Sequence, residues 1–215
     1  MMKKYTFILL SALALLVYSC KSNNKPADKS SGKTTHTYTV QSGKSSVNWT
    51  AYKKSTKAPV HGTFKPSGSE AASFVTKSSP AATAIGAADS LEFSIPVMEI
   101  FSGNEQRDNI LRTFFFGLMK NTVQLKGTVH VDSASAGTGT VDLSMNGEQH
   151  SIPVTFSVNN DTLSLKGQMN MDEWHIAAAM ESLNKHCKLQ HTGADGKSIT
   201  WSDVALDVST VLLVK

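Results

Sequence analysis

The side chains best suited to metal or nucleophile chemistry gather near the C-terminus. His175, His186, Cys187 and His191 fall close together, with Met169, Met171 and Met180 beside them. Thiolate, thioether and imidazole ligands of this kind hold copper(I) or zinc. The spacing argues against a shared ion. Residues 175 and 186 are about three helical turns apart, so two histidines on one helix could not converge, although Cys187 and His191 could. Core methionines and solvated histidines explain the cluster better, and the expectation is no metal and no cofactor. Three GK[ST] fragments begin at Gly32, Gly43 and Gly196, but the residues five positions earlier are Ala27, Tyr38 and His191 rather than glycine. No phosphate-cradling loop is therefore present. Neither G-x-S-x-G nor H-E-x-x-H occurs, and no serine pairs convincingly with a histidine and an acid. The sequence predicts no enzyme.

A second concentration of chemistry is "NEQRDNILRTFFFGLMK", residues 104–120. Arg107, Asp108 and Arg112 precede three consecutive phenylalanines. Ser102 and Glu105 have capping-box spacing, and Ile110, Leu111, Phe114, Phe115 and Leu118 follow at helical spacing. One reading has a local ion pair that fixes the turn. The other places an arginine, Arg107 or Arg112, at a rim where it meets a ligand headgroup. Phe114, Phe115 and Phe116 cannot all face one way, so at least one must point inward or toward a mouth.

Nearly everything else alternates polar and apolar with period two. "VNWTAY" puts Val47, Trp49 and Ala51 on one face, and "LEFSIPV" does the same for Leu91, Phe93, Ile95 and Val97. "VQLKGTVHV" aligns Val123, Leu125, Val129 and Val131, and "VDLSM" aligns Val141, Leu143 and Met145. "IPVTFSV" aligns Ile152, Val154, Phe156 and Val158, and "LSLKGQM" aligns Leu163, Leu165 and Met169. Each is a half-buried strand. "MNGEQ" and "VNNDT" are tight hairpin signals. "PVHGTFK" and "AASFVTK" add shorter strands, and "WSDVALDVSTVLLVK" closes the chain. Eight or nine strands in a mainly antiparallel meander suffice to close a barrel. On this phase Trp49, Phe93, Leu125, Leu143, Phe156 and Leu165 point in, and Lys126, Asp142, Thr155 and Lys166 point out. "MDEWHIAAAMESLNKHC" reads as a helix with Asp172 as N-cap, followed by a loop.

The ends of the chain carry its basic charge. Lys3 and Lys4 precede the apolar "YTFILLSALALLVYS", an h-region too short for a comfortable membrane span. "LVYSC" resembles a lipobox with Cys20 as the lipidated residue, although Val17 and Tyr18 depart from the commonest pattern. Residues 20–36 lack large apolar side chains and read as a flexible tether. Signal and tether contribute +2 and +3 of the formal +4, which leaves −1 for residues 37–215. Nothing in the domain calls for nucleic acid. With Cys20 acylated, Cys187 has no disulfide partner. The expected organisation is signal peptide 1–19, lipidated tether 20–36 and one β-barrel domain 37–215.

The order of these pieces resembles the YceI-like family over about residues 37–215. "YTVQSGKSSVNWTAYK" with "HGTF" is similar to its opening strand and glycine-aromatic element. Asn104, Arg107, Asp108, Leu111 and Phe115 resemble its "N…RD..L….FF" run, and "GTVDLSMNGEQHSIPVTFSV" resembles its paired strands. The segment Asp172 to Cys187 departs from the short "R..FG" element of many relatives. The resemblance implies a single lipocalin-like antiparallel barrel that holds a polyisoprenoid or another long-chain amphiphile, such as a quinone or fatty-acid derivative. Taken alone, the residues leave open whether the interior is filled or hollow. The resemblance favours a cavity lined by Val47, Trp49, Phe93, Ile95, Phe114, Phe115, Phe116, Leu125, Val129, Leu143, Phe156 and Leu165. The expectation is a lipid-anchored protein of a Gram-negative envelope, on the outer membrane facing the periplasm. A non-ligand structural or adaptor protein is the alternative, and a metal-binding module a lesser one.

Overall fold

The computed structural model describes residues 36–65 and 74–215. The signal, the Cys20 lipidation site and most of the tether lie outside the described residues, as does the start of "AASFVTK". Ten strands form one all-antiparallel sheet: β1 (Tyr38–Lys53), β2 (Ala58–Phe64), β3 (Val75–Lys77), β4 (Leu91–Pro96), β5 (Ile100–Phe101), β6 (Gln124–Ser133), β7 (Thr138–Met145), β8 (Glu148–Asn159), β9 (Thr162–Asn170) and β10 (Thr200–Val214). Their spatial order is β3-β4-β6-β7-β8-β9-β10-β1-β2-β5. Two strands are very short: β3, the described part of the expected "AASFVTK" strand, and β5, a two-residue piece not among the expected strands. These two also end the ladder among the described residues, so the barrel is a curled sheet and not a fully hydrogen-bonded cylinder. Beyond β3, Tyr38 and Ala81 exchange backbone hydrogen bonds of 2.8 and 2.9 Å, which ties the start of β1 to the chain that follows β3.

Turn chemistry sets the register. Asn146 and Gly147 both have positive φ, 54° and 77°, as a two-residue type I′ turn requires. Met145 therefore faces Glu148, and β7 and β8 pair from there to Thr138 and Thr155. With that register fixed, alternation decides what each strand buries. Leu125, Val129, Leu143, Ile152 and Phe156 are buried, while Lys126 and Thr155 are exposed. Asp142 pairs with His130 at 3.2 Å, and Lys166 pairs with Asp207 at 3.0 Å. Val123 and Val158 are exceptions: Val123 precedes β6 and is 78% exposed, and Val158, near the end of β8, is also exposed. The Val123 carbonyl accepts from the Val97 N–H.

Three inward aromatics lie against glycines of the neighbouring strand. A Cβ on Gly62 would run into the Trp49 indole, one on Gly127 into the Phe93 ring, and one on Gly139 into the Phe156 ring. The missing side chains let the rings lie along the wall instead of crossing the interior, a known use of glycine in curved sheets.

One end of the sheet is covered by helical segments. Helix α1 (Glu105–Ile110) runs into a π-helical turn over Leu111–Phe115 and a 3-10 turn over Phe116–Leu118. After β9 come a 3-10 turn (Met171–Trp174), α2 (Ala177–His186) and α3 (Lys188–His191). Two expected caps are different residues in the structure. Asn104, not Ser102, caps α1 by accepting from the Arg107 N–H at 2.9 Å. Asn170, not Asp172, caps the 3-10 turn by accepting from the Asp172 N–H at 2.9 Å. The single helix expected from Asp172 onward is broken at His175, whose φ of 51° is left-handed.

Candidate functional site

The sheet and its helical end line a half-open cavity of about 240 Å³. A single water needs only about 10–15 Å³, and protein interiors are otherwise close-packed, so this is no packing defect. Of the residues expected to line such a space, Val47, Trp49, Phe93, Ile95, Phe115, Phe116, Leu125, Val129, Leu143, Phe156 and Leu165 do so. Phe114 does not. It is 37% exposed and stacks on His186, with ring centroids 3.7 Å apart. The cause is the π turn. It takes up more residues per turn than the α-helix assumed from the spacing, so the phase shifts. Phe115 and Phe116 turn inward, and Phe114 and Leu118 are left outside.

The lining is apolar. Among the described residues its polar side chains are those of Ser45, Trp49, Thr200, Trp201 and Thr210, and no ionisable side chain lines it. These groups already have partners. Ser45 donates to Thr210 at 2.9 Å, Thr200 donates to Asn184 at 3.1 Å, and the Trp201 indole donates to the Lys54 carbonyl at 2.7 Å. A surface of this kind offers methylene chains a low-polarity environment.

Further residues line the cavity. Val204, Leu206 and Val208 of β10 alternate inward and were legible by the same period-two rule. Leu111, Met171 and Leu183 come from the helical end, where no strand period applies. Trp174 seals that end: it is fully buried at 0%, and its indole donates to the Leu143 carbonyl at 3.1 Å. Asn146 then fastens the plug by donating to the Trp174 carbonyl at 2.8 Å.

The two arginines sit apart from the main cavity. Arg112 donates to the carbonyls of Met98 at 3.0 Å and Ile100 at 2.7 Å, pinning the π turn to the chain around β5. It lines neither this cavity nor the smaller one beside it, so it does not form a rim. Arg107 donates to the Ser102 side chain at 2.7 Å and the Ser102 carbonyl at 2.8 Å. Ser102 in turn hydrogen-bonds through both its N–H and its hydroxyl to Asp108, which is only 2% exposed. The expected local ion pair is thus relayed through a serine. Arg107 also lines the smaller pocket next to the lumen.

The histidine and cysteine cluster is dispersed. His175 pairs with Glu148 at 2.8 Å, and His186 lies against the Ser182 carbonyl at 2.9 Å. Cys187 is buried, and burial pushes its thiol up. His191 contacts Thr200 at 2.6 Å, and burial, followed by the charges of Lys53 and Lys54, holds it down at about 4. Among the described residues no three His, Cys, Asp or Glu side chains are grouped to hold a metal ion.

The YceI-like domain matches residues 38–210. The chain belongs to the YceI-like family. Among solved structures, this YceI-like chain is similar to a polyisoprenoid-binding domain from Saccharophagus degradans implicated in plant cell wall breakdown. That likeness has 14% identity and a TM-score of 0.52, covering 83% of this chain and 98% of that one. It is also similar to Burkholderia cenocepacia BcnA, with 15% identity, 79% and 96% coverage and a TM-score of 0.45. The YceI protein of Campylobacter jejuni matches with 14% identity, 100% and 99% coverage and a TM-score of 0.39. No curated protein matches the chain.

Proposed function

We propose that this YceI-like protein binds a long-chain apolar amphiphile, a polyisoprenoid, quinone or fatty-acid derivative, with its chain in the lumen and without catalysing a reaction on it. The observation that carries this reading is a cavity of about 240 Å³ lined almost wholly by apolar side chains. Burying each methylene there is worth about 0.8 kcal/mol, so a handful of them supplies useful affinity even after the cost of immobilising the chain. The polyisoprenoid-binding domain from Saccharophagus degradans, which shares the fold, supports a ligand of this class.

The proposal extends to location. "LVYSC" and the polar tether behind it support lipidation at Cys20 and display of the domain from the outer membrane toward the periplasm. A multiply acylated cysteine anchors stably, since two or more chains are needed.

Two experiments test the reading. Purified full-length protein extracted under denaturing conditions should release about one equivalent of a long-chain amphiphile by mass spectrometry. A protein that carries nothing and takes up no added lipid refutes the function. Cys20→Ala should move the protein out of the membrane fraction, and an unchanged distribution refutes the anchor.

A further inference from the structure

Beside the lumen lies a smaller pocket of about 130 Å³. Trp49, Ala51, Leu111, Leu183 and Thr200 line both spaces, so the two abut. Their chemistry differs sharply. The pocket adds Lys53, Asn104, Gln106, Arg107, Gln190 and His191 to its walls, and no acidic side chain. Among the described residues neither Lys53 nor Arg107 forms a direct ion pair with a carboxylate, but the Arg107 charge is offset in part by buried Asp108, which it reaches through Ser102, so Lys53 is the cation the proposal turns on. Arg107 is held in place by its two bonds to Ser102, so its charge is fixed rather than mobile.

We propose that this pocket receives the anionic headgroup, a carboxylate or phosphate, of the amphiphile whose chain occupies the lumen. The inference rests on the lumen reading above and narrows it: the preferred ligand is an acid, not a neutral quinone, alcohol or hydrocarbon. The electrostatic surroundings agree. The outside charges acting on Cys187 are those of Lys53 and Arg107, and those acting on His191 are Lys53 and Lys54. These cations therefore lie close to the pocket, although burial is the larger influence on both groups. His191, held at about 4, is neutral near pH 7 and adds a polar ring without adding a charge. Charge-assisted hydrogen bonds from a lysine and a pre-positioned arginine are the strong kind for an oxyanion. The apolar side chains of Leu111 and Leu183 form the shared wall over which the chain would pass from head to lumen.

The test compares oleic acid with oleyl alcohol, which share a chain and differ in the head. Binding to full-length protein at neutral pH is read from tryptophan fluorescence, because Trp49 and Trp201 line the lumen. The acid should bind about tenfold more tightly than the alcohol, the worth of one charge-assisted contact. Lys53→Met keeps the stem and removes the charge. It should cut that preference to about threefold or less and leave alcohol affinity unchanged, and Lys53→Arg should restore it. Equal affinities in the wild type, or a preference that survives Lys53→Met, overturns the headgroup site while leaving the lumen reading intact. Failure of both compounds to bind overturns the lumen reading and this inference with it. The same fluorescence change with inorganic phosphate alone would mark a free-anion site and also overturns the proposal.

Discussion

Along the wall, β6, β7 and β8 bury alternate residues through a register fixed by short turns such as Asn146-Gly147. At the helical end, Trp174, Phe115 and Phe116 are buried by a different device: a 3-10 turn, a π turn and side-chain hydrogen bonds to backbone carbonyls. The wall gains order from a repeating ladder, so a single lost contact is shared along it. The plug hangs on a few individual contacts. Disruption should therefore be tolerated in the wall unless it changes the lumen, and should be costly at the plug.

The largest effect is expected at Trp174. Trp174→Ala removes a fully buried indole and leaves the helical end unsealed. It should cost about 3–5 kcal/mol, read as a lowered denaturant midpoint. A cost below about 1 kcal/mol would mean that the plug is not a separate point of weakness. In the wall, Gly127→Val should cost about 1–3 kcal/mol by overpacking. The added side chain meets the Asp142 carbonyl and displaces the Phe93 ring from its place along the sheet.

The same division separates what the sequence made legible from what it did not. Alternation identified the inward phase of Leu125, Leu143, Phe156 and Leu165, because a period of two leaves a strand only two choices and one face was almost wholly apolar. It extends equally to Val204, Leu206 and Val208. Helical spacing misplaces Phe114 because it assumes a constant turn, and a π turn is invisible to composition. Ser102 looked like the cap because its spacing to Glu105 fits, but its hydroxyl is engaged by Arg107 and Asp108. Hydrogen bonds that cross between elements, such as Trp174 to Leu143 or Arg112 to Ile100, have no local signature at all.

Smaller effects sharpen the contrast at the helical end. His191 titrates at about 4 in the folded protein against an ordinary 6.5. The unfolded chain therefore takes up its proton near 6.5 while the folded one stays neutral. Stability is fully present above that value and is lost as pH falls toward about 4. For a half-buried ring the loss is about 1–2 kcal/mol after allowing for solvent screening. Comparing denaturant midpoints at pH 7.5 and 4.5, His191→Gln should flatten the difference. A variant with the wild-type slope would assign it elsewhere. Asn104→Ala should cost about 1 kcal/mol through loss of the α1 cap, and Ser102→Ala should disturb Arg107 rather than the helix start. An Asn104→Ala variant as stable as the wild type would show that α1 is held by packing alone.

The central claim is that the lumen, and not the outer surface of the sheet, receives the apolar chain. Leu143 and Thr155 are on opposite faces of the paired strands β7 and β8. Leu143→Trp fills the lumen at an overpacking cost of about 1–3 kcal/mol, which a domain of ordinary stability survives. Thr155→Trp places the same ring in solvent. Both should stay folded by circular dichroism. Quantitative mass spectrometry of bound lipid should then find loading lost in Leu143→Trp and unchanged in Thr155→Trp. Equal loading in the two folded variants would contradict the claim and put the ligand outside the barrel.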